Sequence, residues 1–240
     1  MNLVAASRSI TLWFIILIFS FTFAQAQNST DGADEESEKK PDAVSQQTEF
    51  VEKRSEIGYW GGFPTVHKDL VGASAGGNLF IGALRYSRTL RDGESVKFKY
   101  FLDAIPAAVL NYPTERVFQT TPVPVVDRAR KTVYGSGFAP GGLQMNFRSR
   151  KKFQPYLAGS LGFLYFTKVI VDNRTPLNPR ATGAKLNYTA ELGGGLEIKL
   201  QNQKSFFFGY KYYHISNLYT GNINIGFNTN MIYAGMNFGL

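Results

Sequence analysis

The 240-residue chain has no cysteine and only two histidines, His67 and His214. The first absence excludes disulfides, cysteine-ligated metals and a thiol nucleophile, and the second leaves too few ligands for a histidine-rich metal site. Beyond the first 26 residues, charges and glycines interrupt every apolar stretch. None therefore reaches the roughly 20 apolar residues that a membrane-spanning helix needs. The glycine runs Gly193-Gly194-Gly195 and Gly141-Gly142 precede no strand-to-helix transition, so they are not phosphate-binding loops. In a narrow β structure such glycines relieve crowding or mark bends.

What is present begins with an export signal. Arg8 precedes the apolar run Ile10–Phe23, and Ala24-Gln25-Ala26 supplies a small-x-small cleavage pattern. The run is too short to span a membrane, so residues 1–26 are expected to be a cleaved signal peptide. Residues 27–55 are acidic, rich in Ser, Gln and Lys, and poor in apolar side chains. They are expected to form a disordered periplasmic tail. From Asp31 to Glu56 nine acidic residues outweigh four basic ones, a net of −5. The whole chain is formally +8 and Arg8 accounts for one unit, so the segment from Ile57 onward carries +12. A basic body often signals nucleic acid, but no nucleic-acid motif accompanies it. In an exported chain rich in Tyr and Phe the expected partner is anionic lipid.

Residues 56–240 read as eight alternating runs separated by turns: Glu56–Phe63, Gly77–Thr89, Ser95–Ala104, Thr132–Phe147, Gln154–Val169, Lys185–Leu200, Lys204–Ser216 and Gly226–Leu240. Strand side chains change face every residue. The sixth run accordingly sorts Leu186, Tyr188, Ala190, Leu192, Leu196 and Ile198 from Lys185, Asn187, Thr189, Glu191, Glu197 and Lys199. One face suits hydrocarbon and the other a polar interior. A soluble periplasmic β-sandwich would also alternate. However, several runs reach 12 or more residues, against ~5–6 in soluble sheets, and aromatic girdles are characteristic of membrane barrels. The expected fold is all-β, an eight-stranded antiparallel transmembrane β-barrel of outer-membrane type. Its interior is filled by side chains, with no wide pore.

Loop lengths set an orientation. The links at Asp92-Gly93, Ser149–Lys152 and Gln201–Gln203 are short. Those at Pro64–Gly76, Ile105–Lys131, Ile170–Ala184 and Asn217–Ile225 are longer, as extracellular loops are. In the seventh run Phe206, Phe208, Tyr210, Tyr212, His214 and Ser216 share one face. This puts a histidine and a serine on a lipid-facing wall, near the outer-leaflet interface where lipopolysaccharide acyl linkages lie.

The segments His214-Ile215-Ser216-Asn217 and Asn224-Ile225-Gly226-Phe227-Asn228 resemble the lipid A 3-O-deacylase and acyloxyacyl-hydrolase-like outer-membrane barrel family. The resemblance implies an ester hydrolase of the bacterial outer membrane acting on lipid A, with no cofactor and no metal. In it Ser216 is the nucleophile and His214 the base. Asn217 and Gly226 support the oxyanion or the loop, and Asn224 matches the pattern without an evident chemical role. One departure stands out: where the best-known members carry a glutamate that orients the histidine, this chain has Asn228. An amide can hydrogen-bond the imidazole but supplies no full charge to an imidazolium, and its two ends permit either tautomer. Glu191 and Glu197 alternate inward and cannot substitute, whereas a loop carboxylate such as Asp172 could. The alternative reading is a non-catalytic eight-stranded barrel with a structural or adhesive role.

Lipopolysaccharide and membrane lipid are the partners expected, a homodimer is left open, and no nucleic acid is expected. Arg116, Arg128, Arg130, Lys131, Arg174 and Arg180 fall in the longer loops. They suit either phosphate pairing or plain solubility. His67 reads as a solvated loop residue.

Overall fold

The computed structural model describes residues 54–65, 76–118, 125–170 and 182–240, with side chains described for all of these except 115–118 and 125–128. The expected signal peptide, nearly all of the acidic tail, and His67, Asp172, Arg174 and Arg180 lie outside the described residues, as do the side chains of Arg116 and Arg128. The strands are β1 (Ser55–Pro64), β2 (Asn78–Asp92), β3 (Val96–Phe118), β4 (Val125–Phe147), β5 (Phe153–Phe166), β6 (Leu186–Lys199), β7 (Lys204–Ser216) and β8 (Phe227–Gly239). Each pairs antiparallel with the next. β1 pairs with β8 from Glu56↔Gly239 to Pro64↔Met231, which closes the ring. A single closed sheet of eight strands replaces the sandwich alternative.

Exposure shows which solvent the outer wall was built for. Leu84, Leu143, Leu157, Leu161, Leu192 and Ile232 all point outward and are more than half exposed. Tyr59, Phe63, Tyr134 and Tyr165 join them. A contiguous apolar belt of this extent suits hydrocarbon, with water excluded and every backbone group satisfied by the closed ladder.

The expected long loop Ile105–Lys131 is mostly strand. β3 runs on to Phe118 and β4 begins at Val125, the two pairing from Phe118↔Val125 down to Val96↔Phe147. Pro106 and Pro113 suggested a break, but Pro106 falls inside a register shift between Ile105 and Ala108. A bulge there needs no ladder N–H from it. Pro113 lies beyond Asn111, the last residue paired with β2, where among the described residues β3 pairs with β4 alone. The alternation slips by one residue at this bulge, from buried Phe101, Asp103 and Ile105 to buried Ala108, Leu110, Tyr112 and Thr114, and then runs unbroken past Pro113.

The lumen is divided along its axis. Towards the short turns it is ionic. Lys99 Nζ lies 2.8 Å from Glu56 and 3.1 Å from Glu197, while Lys199 approaches Glu197 at 3.0 Å. Asn146 Nδ2 donates to Glu197 Oε2 at 2.7 Å. Near mid-height Arg85 makes a two-pronged contact with Asp103 at 2.8 and 2.7 Å and stacks on Phe101, 3.9 Å from the ring centroid. A Cβ at Gly142 would collide with that ring, so this glycine makes the stack possible. Lys211 meets Glu191 at 2.8 Å and lies over Trp60. Glu191 and Glu197 therefore point inward, as the alternation requires. Towards the other end the lumen is filled by Leu79, Leu110, Val133, Leu164, Phe166, Ile215, Phe227 and Met231, all buried. That dry packing backs the outer-wall residues considered next.

Candidate active site

β7 carries the two residues of interest on its outward face. Phe207, Lys211, Tyr213 and Ile215 are buried in the lumen, while Phe208 and Tyr210 are exposed. His214 and Ser216 follow the second set at the strand's end. The register sets His214 beside Ala190 of β6 and Asn228 of β8, and Ser216 beside Tyr188. The small side chain of Ala190 leaves one flank of the imidazole open, and Asn228 closes the other.

Asn228 Oδ1 lies 2.6 Å from His214 Nδ1. An amide oxygen only accepts, so the proton of this contact resides on Nδ1, and in the neutral ring the lone pair is then on Nε2. Asn228 is 1% exposed and Ser216 4% exposed, so both polar groups are shielded from bulk solvent. His214 itself is half-buried.

The Ser216 hydroxyl donates to Asn224 Oδ1 at 2.9 Å and accepts the backbone N–H of Leu218 at 3.2 Å. Its proton is thus directed at Asn224 in this state. The same Asn224 oxygen accepts the backbone N–H of Asn217 at 3.1 Å. Asn224, for which sequence reasoning found only a pattern match, therefore holds the hydroxyl proton and a neighbouring backbone donor together. Its position in the motif was the sole signal for it.

Asn217 organises the loop between β7 and β8. Its carbonyl accepts the N–H of Thr220 at 2.9 Å, its Oδ1 accepts the N–H of Tyr219 at 3.0 Å, and its Nδ2 donates to Ile223 O at 2.8 Å. The two central residues of this turn, Leu218 and Tyr219, have φ of 49° and 63°. Positive φ at both positions is the mark of a type I′ turn, which favours Asn, Asp or Gly. For bulky side chains it costs about 1–2 kcal/mol per residue. A second brace comes from close backbone approach, since a Cβ at Gly221 would meet the Gly183 carbonyl carbon at 2.5 Å. Gly226 has no such constraint on its backbone. A Cβ there would sit 3.7 Å from His214 Cε1, so this glycine borders the edge of the imidazole. Of the basic residues expected in the longer loops, Arg130 and Lys131 lie on β4 instead, because the β3–β4 ladder runs past them, and Arg130 donates to Asn111 O at 2.9 Å while remaining exposed.

The family described as lipid A 3-O-deacylase (PagL) matches residues 94–237, more than half of the chain and all of the site. Two solved structures resemble the barrel. One is described as the crystal structure of the outer membrane enzyme PagL, at 14% identity, covering 77% of this chain and 99% of that one, with a TM-score of 0.44. The other is Neisserial surface protein A, at 11% identity, covering 78% and 97%, with a TM-score of 0.40. No curated protein matches the chain.

Proposed function

The chain belongs to the lipid A 3-O-deacylase family, and from that premise we propose that it hydrolyses an ester-linked acyl chain of lipid A with Ser216 as nucleophile and His214 as base. The barrel is an outer-membrane protein, and lipopolysaccharide in the outer leaflet is the proposed substrate source. The observation that carries this reading is the 2.6 Å contact of Asn228 Oδ1 with His214 Nδ1. It leaves Nε2 basic on the same outward face as a serine two residues away.

The reaction begins with an exchange of hydrogen bonds. Ser216 Oγ–H turns from Asn224 Oδ1 to His214 Nε2 as substrate enters, a tightening common when a resting site is filled. Ser216 Oγ attacks the ester carbonyl while Nε2 takes its proton, and the carbonyl oxygen becomes an oxyanion. The Asn217 N–H, held by Asn224 Oδ1 in the resting state, is the neighbouring backbone donor that would stabilise the oxyanion on exchanging that contact for the substrate oxygen. Collapse breaks the ester bond, and Nε2–H protonates the departing sugar oxygen. Water then attacks the acyl-serine, giving up a proton to Nε2, and the fatty acid leaves as Ser216 recovers its own. Asn228 fixes the ring but brings no negative charge to the imidazolium, so turnover is slower than with a carboxylate.

Lipid A mass spectrometry tests this directly. Cells expressing the wild type lose one hydroxyacyl mass and cells expressing Ser216→Ala do not. Unchanged lipid A in both, with the barrel folded in the outer membrane, would overturn the proposal.

The amide at position 228 favours a second reading, a barrel whose site has lost its chemistry. Asn228→Glu separates the two: a rise in rate marks a working but weakened triad, and continued silence marks decay.

A further inference from the structure

Beyond the catalytic pair, the turn that follows Ser216 displays two large apolar side chains where polar ones are expected. Leu218 is 61% exposed, and Tyr219, at 75%, is the most exposed large apolar side chain among the described residues. Both occupy the positive-φ positions of a type I′ turn, where Asn and Gly are the favoured residues. Neither burial nor turn propensity therefore accounts for their presence. Backbone strain retained against propensity, next to a reactive group, points to function.

The turn is also tied to the nucleophile. Leu218 N–H donates to the Ser216 hydroxyl oxygen, and the Asn217 side chain pins Tyr219 N–H. The two residues are thus held in fixed relation to the nucleophile through the Ser216 hydroxyl and the Asn217 side-chain amide. The outward wall below continues the apolar surface through Tyr188, Tyr210, Leu192 and Ile232. An ester at Ser216 has a fatty acyl chain on one side, and an apolar pair locked beside the nucleophile is built to contact such a chain.

We propose that Leu218 and Tyr219 form a seat for an acyl chain of the substrate lipid, so that they set which ester is presented to Ser216. This rests on the lipid A deacylase reading for the identity of the lipid. The seat gains affinity by covering methylenes, each worth a modest increment, so selectivity follows chain length and position.

The test places a reporter in the turn. Tyr219→Trp is made in the Ser216→Ala background, which prevents turnover. Trp60, 3% exposed in the lumen, contributes a background measured with Ser216→Ala alone. The protein is refolded into phosphatidylcholine vesicles, with folding checked by heat-modifiable gel migration. Lipid A with brominated acyl chains, or brominated phosphatidylcholine at equal mole fraction, is then added. Quenching by brominated lipid A at least about twofold deeper than by the phospholipid supports the seat, because specificity is a difference between affinities. Equal quenching by both would make the turn a general leaflet anchor and overturn the proposal, as would quenching by neither. Absence of hydrolysis by the Ser216-intact protein, with selective quenching retained, would remove the catalytic reading and leave the seat standing.

Discussion

At one end of the barrel the chain reverses through Gln201-Asn202-Gln203-Lys204, at the other through Asn217-Leu218-Tyr219-Thr220. The central residues have φ of 58° and 60° in the first turn, and 49° and 63° in the second. Each closes a hydrogen bond from the fourth residue's N–H to the first residue's carbonyl. The backbone solutions are alike, and the side chains are opposite in character. Asn-Gln suits a solvated turn, since Asn tolerates positive φ well. Leu-Tyr suits neither water nor the backbone. The interior follows the same division, with Glu56, Lys99, Glu197 and Lys199 near the first turn and Ile215, Phe227 and Met231 near the second. One end spends its side chains on holding the barrel together. The other carries the proposed catalytic pair on its outer wall and packs the interior behind it with apolar side chains.

Substitutions can test that division, beginning with the largest effect. Ser216→Ala is expected to lower lipid deacylation by about a thousandfold or more, while the two hydrogen bonds it loses cost only about 1 kcal/mol in urea unfolding. An equal loss of stability would mean that the hydroxyl is structural. At the opposite end Glu197→Ala leaves Lys99 and Lys199 with Glu56 as their one remaining carboxylate partner among the described residues in a buried site and is expected to cost about 3 kcal/mol in reversible urea unfolding. The rate per folded molecule should not move, and a rate that falls with stability would erase the distinction between the ends. Asn228→Glu is expected to raise the rate by about a hundredfold, since the reverse change in a serine protease triad costs about 10⁴. Steady-state assays of purified barrel give the answer. The smallest effect makes the two turns alike. Leu218→Asn with Tyr219→Gly is expected to add about 1 kcal/mol of stability by relieving positive φ, while deacylation falls. A gain in both would show that Leu218 and Tyr219 serve no purpose at the site.

Much of the barrel could be read from alternation alone, because a period of two sorts a half-buried strand whatever its neighbours do. The eight runs, the inward course of Glu191 and Glu197 and the outward course of His214 and Ser216 all follow from it. Where proline intervened the reading failed, as at Pro106 and Pro113. Local sequence does not tell whether a proline N–H would have faced a partner, a bulge or an open edge. The links within the site were less accessible still. Asn224 reaches Ser216 across eight positions because the intervening chain doubles back at Leu218-Tyr219, a dipeptide that carries no turn signal. Likewise, the contact of His214 with Asn228 depends on the register of β7 against β8, which only the assembled sheet provides.

The outward direction of His214 determines how any lipid arrives. A molecule reaching this wall does so by lateral diffusion within the leaflet, without entering the lumen or leaving the membrane. The variable that governs encounter is then the substrate's mole fraction among its neighbours, and diluting it with inert lipid should slow turnover at constant total concentration. Fluidity of the leaflet becomes a kinetic parameter for the same reason, and cooling the membrane through its ordering transition should slow encounter more steeply than it slows the chemical step.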